Sequence, residues 1–168
     1  REITMPGLLP HVDPNGLLEY SVVYTDRALN HMSGSFQGVM KDISGVLKEV
    51  YHAHSAVIVP GSGTFGMEAV ARQFAHDQKV LVIRNGWFSY RWTQIFEMAG
   101  VASSSTVLKA RMTSPAAKSP FTPAPLDEIV STIRASKPAV VFAPHVETSA
   151  GMILPDDHLI AIGAAVHE

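Results

Sequence analysis

Cysteine is absent from the 168 residues, which excludes disulfides, thiolate zinc sites and a cysteine nucleophile. No apolar run reaches the length of a membrane span, and the first residues carry no signal-peptide pattern. A cytoplasmic protein with no membrane attachment is therefore expected. Charge is also scarce. Charged residues make up 17% of the chain and the net charge is −2, which leaves no electrostatic case for nucleic acid or an anionic membrane as partner. Paired carboxylates placed for acid–base work do not stand out. The eight histidines include His52-x-His54, which a strand would point to one face, but no third ligand accompanies them at fitting spacing. No metal site is expected. An apolar content of 46% and a length of ordinary domain size are enough to bury a sizeable core.

What the chain does have is a dense stretch from His54 to Val70. Ala56 to Val59 is a short apolar, β-branched run, the pattern of a buried strand. Pro60-Gly61 breaks it, and Thr64, Phe65, Met67, Ala69 and Val70 then read as a helix packed on a sheet. A strand, a glycine-rich turn and a helix start make an anion site, because the first helical amides have no internal partner and the helix dipole is positive at that end. Ser62 and Thr64 add hydroxyls at the same place.

Around this stretch the alternation is regular. Residues 1–20 hold Met5-Pro6-Gly7 and further prolines and read as an N-terminal arm, with residues 21–168 forming the domain proper. Ser33 is a candidate N-cap for a helix whose stripe, Phe36, Met40, Ile43, Leu47 and Val50, is expected to be core. A strand at Val80–Ile83, a helix at Phe88–Met98 stopped by Gly100, and a short strand at Val107 and Leu108 follow. Ala110 to Pro125 holds four prolines and reads as a long loop. A helix at Leu126–Ala135, a strand at Ala139–Ala143 and a last helix after Pro155 complete the order. Helices and strands in alternation predict a three-layer α/β fold, a mostly parallel sheet flanked by helices. Loops that follow strands can then converge on one rim, where open α/β sheets bind ligands.

Two readings fit the glycine-rich turn. Gly61-x-Gly63-x-x-Gly66 matches the dinucleotide-binding fingerprint, which calls for an acidic residue about 20 positions on to hold the ribose. The next strand ends in Arg84-Asn85-Gly86 with no carboxylate, so only an NADP-binding oxidoreductase, its arginine serving a 2′-phosphate, stays open. A serine hydrolase is excluded, since Ser62 lacks the Gly-x-Ser-x-Gly elbow.

The other reading takes in more residues. Gly61-Ser62-Gly63-Thr64 followed by Glu68-Ala69 resembles the phosphate loop of the class V, fold type I pyridoxal-phosphate aminotransferases, the alanine–glyoxylate and serine–pyruvate group above all. Asn85-Gly86-Trp87-Phe88-Ser89-Tyr90-Arg91 resembles that family's Asn-Gly-x-aromatic-Gly-x-Arg motif, with Ser89 in place of the second glycine. His145-Val146-Glu147-Thr148-Ser149-Ala150-Gly151 resembles its His-Gly-Glu-Ser-Ser-x-Gly motif. The resemblance runs from about Met5 to the last residue. It implies pyridoxal 5′-phosphate as cofactor, held at its phosphate by Ser62, Gly63 and Thr64, stacked by Phe88 and hydrogen-bonded by Thr148. Thr64 stands where many relatives have histidine, and His145 is expected to support its loop.

The reaction implied moves an amino group from a small amino acid to a 2-oxo acid such as glyoxylate or pyruvate, in a homodimer. Such chemistry needs a Schiff-base lysine and an aspartate against the pyridine nitrogen. The resemblance puts both beyond residue 168, so these residues are expected to be the N-terminal part of the cofactor-binding domain and to be inactive alone.

Overall fold

A computed structural model describes His31 and residues 34–168. The expected N-terminal arm and the Ser33 cap lie outside the described residues. The chain divides into two compact units, Arg1–Val59 and Pro60–Glu168. In the first, α1 (Gly34–Val50) carries the apolar stripe that its spacing predicts, but none of its residues is buried. Val39, Ile43, Val46 and Val50 are exposed. The expectation that this stripe is core is corrected on that ground: periodicity shows which face is apolar, and burial depends on what packs against it. Residues 53–59 are also irregular, and Val57 is 85% exposed. The strand expected at Ala56–Val59 does not form, because a strand exists only through a ladder partner and no described residue supplies one.

The second unit is the expected layered α/β structure. Its elements are α2 (Gly63–Phe74), β1 (Lys79–Arg84), α3 (Trp87–Ala99), β2 (Ser104–Lys109), β3 (Arg111–Met112), β4 (Phe121–Thr122), α4 (Leu126–Ser136), β5 (Val140–Phe142), β6 (Val146–Glu147), β7 (Met152–Ile153) and α5 (Asp156–His167). Strands β1, β2 and β5 form a parallel sheet in the order β2-β1-β5, with Val80 opposite Ser105 on one side and Val140 on the other.

The central strand shows why there are three layers. Side chains alternate across a sheet, so Leu81 and Ile83 point one way and Val80 and Val82 the other. Leu81 and Ile83 pack with Ile129 and Ile133 of α4 and Ile162 and Ala165 of α5. Val80 and Val82 pack with Ala71 of α2, Ile95 and Phe96 of α3, and Phe142 of β5. Each such buried aliphatic side chain contributes about 1.5–3 kcal/mol relative to an exposed one.

The helix ends follow local chemistry. Gly100 stops α3 in the left-handed conformation, φ 57°, as its position predicts. Asp156 and Asp157 stand in the first turn of α5, where the helix dipole favours them. Two features were not expected. The proline-rich stretch after β2 folds back on itself as the antiparallel pair β3–β4, closed by a Thr113 N–H to Pro120 carbonyl bond of 2.9 Å. The segment after β5 is another small antiparallel pair, β6–β7, with a single 3-10 turn, Thr148–Ala150, between its strands.

The two units differ in how much each side chain is worth. Leu81→Ala, in the fully buried centre of the sheet, is expected to cost about 2–5 kcal/mol in urea unfolding. Ile43→Ala, on the exposed face of α1, is expected to stay within about 0.5 kcal/mol.

Candidate functional site

Three loops were expected to form one rim, and two of them are bonded to each other. Strand β1 ends at Arg84, and Asn85 and Gly86 lead into α3. The helix starts on a glycine, which has no side chain to cap it, so its first N–H groups must find acceptors elsewhere. The Trp87 N–H donates to Ser149 Oγ at 2.8 Å. The Phe88 N–H donates to Glu147 Oε1 at 3.0 Å and the Ser89 N–H to Glu147 Oε2 at 2.8 Å. The Tyr90 N–H closes the first intrahelical bond to the Gly86 carbonyl at 3.0 Å. The cap of α3 is thus a carboxylate borrowed from the loop after β5.

Glu147 is fully buried and faces no cation among the described residues. Besides the two backbone amides, the Ser89 hydroxyl donates to Oε2 at 2.6 Å and the Ser149 hydroxyl to Oε1 at 2.5 Å. Ser89 Oγ in turn accepts the N–H groups of Asn85 (2.9 Å) and Gly86 (3.1 Å). Burial pushes the Glu147 carboxyl up, but the Ser149 and Ser89 hydroxyls, with the backbone N–H groups of Ser89 and Phe88, together hold it below the ordinary glutamate value. It is an anion held by four donors at a helix N-terminus, where the dipole also favours negative charge. Glu147 and Ser149 were not among the expected site residues, although both lie inside the third motif. Ser89, the apparent departure from the second motif, supplies the hydroxyl that this junction uses.

The junction fixes Phe88 and Thr148. Phe88 is the second residue of α3, with its amide on Glu147, and the residue is 55% exposed. Thr148 follows Glu147, opens the 3-10 turn and is exposed, and no bond to its hydroxyl is made among the described residues. The aromatic cluster divides: Trp92 packs on Phe142, with ring centroids 4.4 Å apart, while Trp87 and Phe88 stay outside. The His145 carbonyl accepts the Leu154 N–H at 2.8 Å, so His145 does help to close its loop, through its main chain.

Ser62, Gly63 and Thr64 open α2, which packs on α3. No bond joins them to the Glu147 junction. Ser62 is the N-cap, with extended backbone and no side-chain capping bond. Its carbonyl accepts the N–H groups of Phe65 (3.0 Å) and Gly66 (3.4 Å). The N–H groups of Gly63 and Thr64 have no acceptor among the described residues, and all three residues are exposed. Gly61 is needed for this shape: its φ is 130°, and a Cβ there would run into the Phe65 ring. The two helix starts are therefore opposites. The amides of α3 are taken by its own protein, and those of α2 are free for an outside anion.

His52 and His54 lie in irregular backbone, His52 with φ 48°, so the shared strand face that would pair them is not there. Among the described residues no group of three metal-ligating side chains occurs, and no helix is long and apolar enough to cross a membrane.

No family model matches the chain. Among curated proteins, it is 33% identical over 140 residues to 2-aminoethylphosphonate–pyruvate transaminase 2 of Paraburkholderia xenovorans, a match covering 82% of this chain and 34% of that protein. It is 30% identical over 168 residues to (S)-ureidoglycine–glyoxylate transaminase of Bacillus subtilis, covering 98% of this chain and 36% of that protein. The crystal structure of ureidoglycine–glyoxylate aminotransferase from Bacillus subtilis superposes with a TM-score of 0.60 at 24% identity, over 79% of this chain and 33% of that one. The chain thus spans about a third of the length of the relatives it matches.

Two outcomes test the Glu147 junction. A Cβ on Gly86 would lie 2.5 Å from Ser149 Oγ and 2.7 Å from Glu147 Cγ, so Gly86→Ala is expected to destabilise by about 1–3 kcal/mol in thermal or urea unfolding. The Glu147 carboxyl titrates lower in the folded protein than its ordinary value of about 4.3, so its contribution is complete above that pH and is lost as the pH falls through the lower folded value. Stability measured from pH 7 to pH 3 should fall in that window, and Glu147→Gln should be less stable at pH 7 and flatten that part of the profile.

Proposed function

The chain belongs to the class V, fold type I pyridoxal-phosphate aminotransferases, and we propose that it holds pyridoxal 5′-phosphate at the α2 and α3 helix starts. The complete enzyme would transfer an amino group from a small amino acid to a 2-oxo acid such as pyruvate or glyoxylate. The activities named for the relatives, both of them transaminations onto a 2-oxo acid, support this reaction class.

The observation that carries the reading is the contrast between the two helix starts. A phosphate needs several convergent donors and a positive field. The Gly63 and Thr64 N–H groups, with the Ser62 and Thr64 hydroxyls, have the donor set for it. Phe88 offers an exposed ring face for the pyridine, and Thr148 an exposed hydroxyl for its polar edge. When bound, the cofactor supplies the electron sink that draws negative charge away from the substrate's α-carbon. The chain's own residues bind and orient it: α2 grips the phosphate, Phe88 sets the plane of the ring, and Glu147 keeps Phe88 and Thr148 in fixed register.

The dinucleotide reading of Gly61, Gly63 and Gly66 has less support, because its turn must follow a strand and the described residues before Pro60 form none.

A single substitution tests the phosphate assignment without breaking the helix. Gly63 is the first residue of α2, and Ser62 before it is extended, so proline fits there and removes one N–H donor. Gly63→Pro is expected to weaken pyridoxal phosphate binding about tenfold, the loss of one charge-assisted hydrogen bond. Binding of pyridoxal, which has no phosphate, should be unchanged. Equal losses for both compounds would contradict the assignment.

A further inference from the structure

The carboxyl ends of β1 and β2 open into a cleft of about 640 Å³ whose lining includes none of Ser62, Gly63, Thr64, Phe88 and Thr148. Arg84 and Lys109 end the two strands and are direct partners in the ladder, so their side chains leave the sheet on the same face. Both line the cleft. The arginine ion pairs of the described residues join Arg72 to Glu68, Arg111 to Glu128 and Arg134 to Glu168, and leave Arg84 and Lys109 without a carboxylate. No aspartate or glutamate lines the cleft. Glu147, which lies beneath Gly86, is buried and committed to its four donors. The Arg84 guanidinium stands 5.0 Å from the centroid of the Tyr90 ring, a cation–π contact that holds its position. Two cations side by side on neighbouring strands repel each other, and an oxyanion between them removes that cost. The rest of the lining is largely apolar, with Trp87, Pro120, Phe121 and Met152 around the basic pair.

We propose that this cleft binds an organic oxyanion, with a carboxylate- or phosphate-type head between Arg84 and Lys109 and an apolar body against Trp87, Phe121 and Met152. The site is separate from the Ser62–Thr64 helix start and stands on its own residues, whatever that helix holds. Arg84 supplies a planar fork that can pair two oxygens at once, and Lys109 supplies a point charge. The β3–β4 pair, which brings in Pro120 and Phe121, forms one wall.

The test follows the Trp87 indole N–H resonance while the protein is titrated at low salt with benzoate, with phenyl phosphate and with neutral benzamide. Both anions, or one of them, should give a saturable shift, and the one that binds more tightly identifies the head group. Benzamide should bind at least tenfold more weakly. Arg84→Gln should weaken anion binding about tenfold, and Lys109→Gln should weaken it by a smaller factor. Arg84→Lys should retain part of the affinity, and Ser62→Ala should leave it unchanged. Should Arg84→Gln fail to fold, Lys109→Gln at its exposed position carries the same comparison. Benzamide binding as tightly as benzoate, anion affinity indifferent to Arg84 and Lys109, or no saturable shift would each overturn the proposal.

Discussion

Glu147 is a buried charge without a cation, and the geometry of the candidate site depends on how it is satisfied. Two backbone amides and two hydroxyls surround its carboxylate at 2.5–3.0 Å. An ionised carboxylate in a protein interior costs several kcal/mol unless such bonds replace its water. The donors come from α3 and from the loop after β5, so neither segment can shift without exposing the charge or leaving helix amides unpaired. That mutual dependence fixes Phe88 relative to Thr148, although the two are 60 residues apart in the chain.

The sheet sets the stage for this bond. β1 and β5 lie side by side in parallel, so the loops that leave their carboxyl ends emerge together. The alternate faces of β1 hold α2 and α3 on one side and α4 and α5 on the other. Packing of α2 on α3 brings a second helix start to the same layer, with its first amides unspent. A rigid, self-satisfied helix start and an open one therefore lie in the same layer.

Much of this was legible in the sequence where the signal is local. The helices at 126–136 and 156–167, the Gly100 stop and the buried run of β1 follow from periodicity, capping and β-branched composition. Ser62, Gly63, Phe88 and Thr148 stand out as motif positions, and two of the three motifs prove to be bonded together. The failures are non-local. Ala56–Val59 has strand composition but no ladder partner among the described residues, and the α1 stripe has helical period without burial. Glu147 and Ser149 do not stand out in the sequence, because nothing in their own neighbourhood shows that their partners lie in a helix 58–62 residues earlier. The β3–β4 pair was hidden by its prolines, which flank the ladder without entering it.

Under the proposed function, Glu147 organises cofactor binding without touching the cofactor. This role is tested most directly by pyridoxal phosphate affinity across a double-mutant cycle of Glu147→Gln and Ser89→Ala. The account predicts that Glu147→Gln weakens binding about tenfold and that the double variant loses less than the sum of the two single losses, since Ser89 acts partly through the same carboxylate and partly through the Asn85 and Gly86 N–H groups. An affinity unchanged by Glu147→Gln, or losses that simply add, would contradict it.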